Sequence, residues 1–202
     1  MSLSISEGQA LVGLARETLD RFVTKGKAEL KSWTSGFLSE KRGVFTTLEV
    51  LEAGEKRLRG CIGYPYPVRR LGEAVQETTI MAASEDPRFD RVVVAELDRI
   101  VVELSVLTLP EPINVSSRLE LPKAVTIGRD GLIISTGLQS GLLLPQVAVE
   151  FGWDPAEFLS EACQKAGLLP DSWLDSGTTV QRFQAEIFHE ATPRGKVLRV
   201  ED

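Results

Sequence analysis

Between Val44 and Ile62 two runs rich in strand-forming residues are separated only by Ala53-Gly54-Glu55-Lys56. So short a connection leaves an antiparallel hairpin as the one arrangement both runs can share. Val44 to Leu51 supplies the first strand, and Arg57 to Ile62 returns as the second. That second strand carries Leu58-Arg59-Gly60-Cys61-Ile62-Gly63, in which a cysteine lies between two glycines. Glycine inside a strand marks a bulge, or a place where another backbone or a ligand comes close.

The elements around the hairpin mix helices with strands. Ser4 and Glu7 are spaced as a capping box, and Leu11, Leu14, Ala15, Leu19, Phe22 and Val23 follow at helical intervals up to Gly26. Tyr64-Pro65-Tyr66-Pro67 forces an extended exit from the hairpin. A second helix bears Leu71, Ala74, Val75, Thr78 and Ala82 on one face and is broken by Asp86-Pro87-Arg88-Phe89. In Ile100 to Leu107, Ile100, Val102, Leu104 and Val106 alternate with Val101, Glu103, Ser105 and Leu107, as in a strand.

In the second half, Val125 to Ile127 and Leu132 to Ser135 read as a hairpin about Arg129-Asp130-Gly131, with Gly131 left-handed. Leu142 to Leu144 reads as a short strand, and Pro145 fits the first turn of a helix through Glu150. Asp154 is an N-cap for a helix with Leu159, Ala162, Cys163 and Ala166 inward. A last strand is expected over about Thr179 to Phe188, with Phe183, Ala185 and Ile187 inside. This order is neither strictly β-α-β nor all-β, so the class is α+β, with no repeat in the amino acids themselves.

Composition narrows the function classes. A net charge of −6 over 202 residues gives no strong nucleic-acid signal. No apolar run approaches a membrane span, and the first residues lack the order of a signal peptide, so a cytoplasmic protein with no membrane association is expected. Two cysteines and one histidine at remote positions do not spell a metal site, and no cofactor is expected. From Lys56 to Arg91, however, seven Lys and Arg face five Asp and Glu, which favours a small anionic ligand there.

Leu58-Arg59-Gly60-Cys61-Ile62-Gly63 resembles the signature of the AMMECR domain family, named for a chromosomal region linked to Alport syndrome, midface hypoplasia and elliptocytosis. Further stretches resemble the family in the same order: Gly43 to Thr46, Asp86 to Phe89, Gly131-Leu132, Leu144 to Ala148 with Glu150, Gly152 and Trp153, and Phe158-Leu159. The resemblance spans nearly the whole chain as a single domain. It implies two β3-α2-like halves sharing a barrel-like, mostly antiparallel sheet, with a larger and a smaller lobe and a cleft. It implies no particular reaction. Family members in many prokaryotes are encoded beside a Memo-like protein and a radical SAM protein, which makes these two the expected pathway partners.

The candidate site follows from the signature. Cys61 is a candidate nucleophile, with Arg59, Gly60, Gly63, Arg88, Gln146 and Glu150 as candidate ligand-binding residues. Strand alternation places Leu58 and Gly60 on one face and Arg59, Cys61 and Gly63 on the other. Gln146 and Glu150 fall one helical turn apart. On residue chemistry alone, Cys61 reads first as a small buried hydrophobe with glycines for close packing. His189 is either a base for Cys61 or an exposed strand end, and Trp33 either a partner contact or a cover on the core. The function that follows is an enzyme or enzyme subunit acting on a small anionic substrate or a modified macromolecule. Its alternative is a non-catalytic protein- or RNA-binding module.

Overall fold

The computed structural model of the chain describes residues 2–137 and 139–200, in two compact units: residues 1–107 with 186–202, and residues 108–185. The first unit opens with α1 (Ile5–Lys25), whose capping box joins Ser4 and Glu7 and whose C-cap Gly26 is left-handed. β1 (Val44–Glu52) and β2 (Glu55–Tyr64) form the expected hairpin, turning at Ala53 and Gly54, both with positive φ. α2 (Leu71–Ser84) and β3 (Ile100–Leu107) follow. Beyond the second unit, β8 (Ala185–Glu190) and β9 (Val197–Arg199) complete a five-stranded sheet in the order β2-β1-β3-β8-β9.

Helices α1 and α2 pack on one face of that sheet. Leu11, Ala15 and Leu19 of α1 and Leu71, Ala74, Val75 and Ala82 of α2 meet Leu48, Val102, Leu104 and Phe188 in one buried core. Each fully buried aliphatic side chain contributes on the order of 1.5–3 kcal/mol there. Trp33 lies half-buried against α2, its ring occupying the space in front of Gly72, and so covers the core.

Two buried carboxylates of this unit, Glu190 and Glu186, are each held by several hydrogen bonds. Arg16 of α1 donates from Nε to Glu190 Oε1 at 2.9 Å and from Nη2 to the Ile100 carbonyl at 2.6 Å, with a second bond to Glu190 Oε2. Glu190 also accepts the Val102 amide at 3.0 Å. The carboxylate of Glu186 receives the Leu3 amide at 3.0 Å, the Ser2 hydroxyl at 2.6 Å and Arg199 Nη2 at 2.8 Å, tying the start of the chain to β8 and β9.

The second unit holds a four-stranded sheet in the order β4-β7-β5-β6, formed by β4 (Glu111–Pro112), β5 (Gly131–Thr136), β6 (Gln139–Leu143) and β7 (Thr179–Phe183). Helices α3 (Leu121–Ala124), α4 (Pro145–Phe151) and α5 (Pro155–Lys165) accompany it. Asp154 caps α5 by accepting the amides of Ala156 and Glu157. Phe158, Leu159, Ala162 and Cys163 of α5 are fully buried with Leu132, Ile134 and Leu121.

The class is α+β, and three finer expectations are corrected. The halves do not share a barrel-like sheet, since each unit has its own antiparallel sheet. The last long strand is broken at Gln184, where Gln184 N donates to Thr108 Oγ1 and Thr108 N donates to the Gln184 carbonyl, both at 2.8 Å. β7 and β8 therefore belong to different sheets, and in β8 it is Glu186, Phe188 and Glu190, not Ala185 and Ile187, that are buried. Finally, Val125 to Ile127 forms no strand. The Thr126 amide donates to Asp130 Oδ2 at 2.8 Å, and the left-handed glycine of that turn is Gly128 rather than Gly131.

Arg16→Met, which leaves Glu190 buried without its cation, is expected to lower unfolding free energy by about 3–5 kcal/mol. Urea titration of the purified chain measures this, and a loss below about 1 kcal/mol would show the pair to be dispensable.

Candidate functional site

β2 is the outer strand of the first sheet, and it is irregular where the signature lies. Glu49 of β1 faces Leu58, and Leu48 faces Gly60, so Arg59 is the extra residue of a β-bulge. The bulge corrects the expected alternation. Leu58, Cys61 and Gly63 now share a face, opposite Glu49, Thr47 and Phe45, whereas Gly60 and Ile62 pair with the core-facing Leu48 and Thr46. A strict two-residue period cannot survive one unpaired residue.

Each glycine of the signature makes room for protein. A Cβ on Gly60 would sit 2.1 Å from the Ala82 carbonyl oxygen of α2, so only glycine lets β2 lie this close to the helix. A Cβ on Gly63 would sit 2.4 Å from the ring of Phe45, its cross-strand neighbour.

The segment after α2 then closes over the open edge of β2. The Cys61 amide finds no partner in β1 and donates instead to Asp86 Oδ2 at 2.8 Å. Asp86 is 4% exposed, and Arg88 grips it from Nε at 3.0 Å and Nη2 at 2.8 Å, with the Arg88 amide adding a bond to Oδ1 at 3.1 Å. These bonds, Arg88 first, outweigh burial and hold the Asp86 carboxyl far below the usual carboxylate range. Arg59 takes part in the same closure. Its Nε donates to Glu96 Oε1 at 2.7 Å, Nη2 to Glu96 Oε2 at 3.1 Å and Nη1 to the Asp90 carbonyl at 2.8 Å. The ring of Phe89 lies under both guanidiniums, 5.9 Å from Arg59 Cζ and 5.5 Å from Arg88 Cζ.

The local excess of positive charge is thereby neutralised. Besides Arg59 with Glu96, Arg57 meets Glu52 at 3.8 Å, Arg69 meets Glu77 at 3.4 Å and Arg70 meets Glu73 at 3.8 Å. Arg88 differs, because its side chain is 54% exposed and its Nη1 makes no hydrogen bond among the described residues. Its guanidinium titrates above the ordinary value, first through the hydrogen bonds to Asp86, against a counteracting desolvation. Attraction to Asp86 and then to charge on Cys61 adds to the rise.

Cys61 itself is half-buried, and Thr47 Oγ1 donates to its Sγ at 3.4 Å. Thr47 stands opposite Cys61 on one side and Glu103 of β3 on the other, so Cys61, Thr47 and Glu103 form one row across the sheet. Glu103 is half-buried, and burial first, then the charge of Glu49, pushes its carboxyl up against smaller opposing effects of Lys56 and His189. Lys56 Nζ lies 3.1 Å from Glu49 Oε2 and 3.4 Å from His189 Nδ1. Glu49 Oε2 is a buried atom without a hydrogen-bond partner, so its contact with Lys56 is an ion pair made off hydrogen-bonding geometry. Cys163, in contrast, is fully buried in the second unit, where desolvation raises its thiol pKa.

The structure brings together Cys61, Arg59, Gly60, Gly63 and Arg88. Gln146 and Glu150 lie on α4 of the second unit, exposed and without side-chain hydrogen bonds among the described residues. His189 does not meet Cys61. β1 and β3 separate their strands, and the imidazole lies against Lys56 and the Glu190 carbonyl. The residues that composition and motif missed are Thr47 and Glu103. Their signal was the alternation itself, which sets Glu103 between the buried Val102 and Leu104, and Thr47 between Thr46 and Leu48.

This α+β chain, with a bulged edge strand bearing the glycine-framed cysteine, matches known proteins over nearly its whole length. The AMMECR1 family model covers residues 12–188, and the chain belongs to this family. A protein of Thermofilum pendens is 50% identical, with 97% of this chain and 95% of that one aligned. One of Methanocaldococcus jannaschii is 48% identical, with 97% and 96% aligned. The crystal structure of an uncharacterized protein from Pyrococcus horikoshii superimposes with a TM-score of 0.78 at 48% identity, over 96% of this chain and 97% of that one. Among the described residues no helix is long and apolar enough to cross a membrane.

A carboxyl group whose native pKa is depressed binds fewer protons folded than unfolded, so its stabilisation is complete above the unfolded pKa and is lost as pH falls through the native one. Asp86→Asn is therefore expected to be about 1.5–3 kcal/mol less stable than the wild type at pH 7. The gap should close progressively below about pH 4. Denaturant titrations between pH 7 and pH 2 measure this, and a constant gap would remove Asp86 from the account.

Proposed function

We propose that the chain is an enzyme, or the substrate-binding subunit of one, that works through the thiol of Cys61 on the open face of its first sheet. The observation that carries this reading is the setting of that thiol. It is half-buried, receives the Thr47 hydroxyl and lies within the field of the exposed guanidinium of Arg88. A half-buried thiol beside a cation and a hydroxyl donor is the polar setting in which cysteines attack electrophiles. Asp86 holds the Cys61 amide and Glu96 holds the Arg59 side chain beside it, so the sulfur is presented from a fixed frame. Arg88, with a free Nη1, is the group that binds the anionic part of a small or macromolecular substrate. The Memo-like and radical SAM proteins implied by the family resemblance are the partners proposed for this activity, and co-purification from a native host tests them.

A non-catalytic protein-binding module is the second reading. It draws on the exposed Val149 and Phe151 of α4, beside Gln146 and Glu150. Cys61→Ser separates the two, because a module of this kind keeps its cellular function without the thiol.

Under native conditions iodoacetamide should modify Cys61, and Cys163 should react only after denaturation, as read by peptide mass spectrometry. Arg88→Met should slow Cys61 several-fold at neutral pH. Equal protection of both cysteines in the folded chain would rule out nucleophilic use of Cys61.

A further inference from the structure

A thiol used as a nucleophile needs somewhere for its proton to go, and most bases around Cys61 are already committed. Asp86 is locked between Arg88 and the Cys61 amide and holds its charge too firmly to accept a proton near neutral pH. Glu96 is held by Arg59 through both oxygens. Glu49 is ion-paired with Lys56, and His189 is turned to Lys56 and its own strand. Glu103 is the exception. Its carboxyl makes no hydrogen bond or ion pair among the described residues, and it stands directly across Thr47 from Cys61.

We propose that Glu103 accepts the proton of the Cys61 thiol, with Thr47 Oγ1 carrying it between them. This inference rests on the reading of Cys61 as a working thiol. Directly opposed residues on antiparallel strands have Cβ atoms about 5 Å apart, so one rotamer change brings the Glu103 carboxylate to the Thr47 hydroxyl. The Thr47 hydroxyl already bonds the sulfur at 3.4 Å. In the step, the Thr47 hydroxyl turns its proton from the sulfur towards a Glu103 oxygen, and the S–H bond breaks as its proton passes to Thr47 Oγ1. The hydroxyl's own proton leaves for a Glu103 oxygen, and the negative charge moves from carboxylate to sulfur. Nothing is oxidised or reduced.

The groups facing Glu103 suit it to this role. Glu49 on β1 disfavours its charge, while Lys56 on β2 and His189 on β8 favour it, and the balance with burial leaves a carboxyl more basic than an exposed one. A base whose pKa approaches that of the acid it serves transfers protons best. Once protonated, Glu103 returns a hydrogen bond through Thr47 that stabilises the thiolate.

Two groups coupled in this way titrate as a pair. The test is the rate of Cys61 alkylation by iodoacetamide from pH 5 to pH 9, read on the Cys61 peptide of the full chain. The wild type should show a stretch of pH below the thiol titration where the rate is flat. In Glu103→Gln and Thr47→Val the rate should instead fall about tenfold per pH unit throughout, as for a lone thiol. Glu103→Asp should keep a narrower plateau, and His189→Gln a full one. Circular dichroism establishes that each variant is folded, and if Glu103→Gln is not, Thr47→Val and the wild-type profile decide. Profiles of one shape in wild type, Glu103→Gln and Thr47→Val would overturn the relay while leaving a reactive Cys61. No native reaction of Cys61 at all would overturn the relay together with the function proposed above.

Discussion

A β-strand at the edge of a sheet leaves half of its amides without partners, and in β2 one of them belongs to Cys61. An unpaired backbone donor costs stability unless something else accepts it. Here the carboxylate of Asp86 does so, and two bonds from the Arg88 side chain keep that carboxylate ionised and in place. The rest of the region is arranged around this requirement. Gly60 lets β2 approach α2 closely enough for the segment beyond the helix to reach the strand edge. The bulge at Arg59 sends a guanidinium to Glu96 and the Asp90 carbonyl, fastening the other end of the same segment.

This closure sets the surroundings of the cysteine. With its backbone held on the edge side, Cys61 turns its sulfur to the sheet face away from α1 and α2, where Thr47 donates to it. The same loop that satisfies the amide places Arg88 near the sulfur, so one short sequence provides both the structural acceptor and the cation. Arg59, despite being in the signature itself, is drawn into the frame by a two-point bond with Glu96. Charge on the other side of the row comes from four strands, with Glu49, Lys56, Glu103 and His189 gathered on one face.

The helix-covered face follows a different rule. Its charged residues are sealed in, and each is matched by several bonds, as with Arg16 and Glu190 between α1, β3 and β8. The two faces thus treat their charged groups differently: the covered one pairs them with several bonds, whereas on the other Glu103 is half-buried without a hydrogen bond or ion pair among the described residues.

Much of this was legible in the chain itself. Helix α1 with its capping box, the hairpin of β1 and β2, the buried stripe of α2, the strand from Ile100 to Leu107 and the cap at Asp154 all follow from local chemistry: short-range hydrogen bonds, periodicity and turn residues. The signature and its Asp86 to Phe89 companion could be named from sequence as well, and with them the family. What tertiary structure alone decided were relations between distant residues. The break at Gln184 depends on Thr108, seventy-six positions away, and that pairing divides the sheets. The bulge at Arg59 depends on the register against β1 and reverses which neighbours share a face with Cys61. The neutralising partners of the arginines, and the row that joins Cys61 to Glu103 through Thr47, exist only once three strands are side by side. Local propensity fixes the strands. The choice of which edge a carboxylate must close, and which acid is left unpaired, is made by packing.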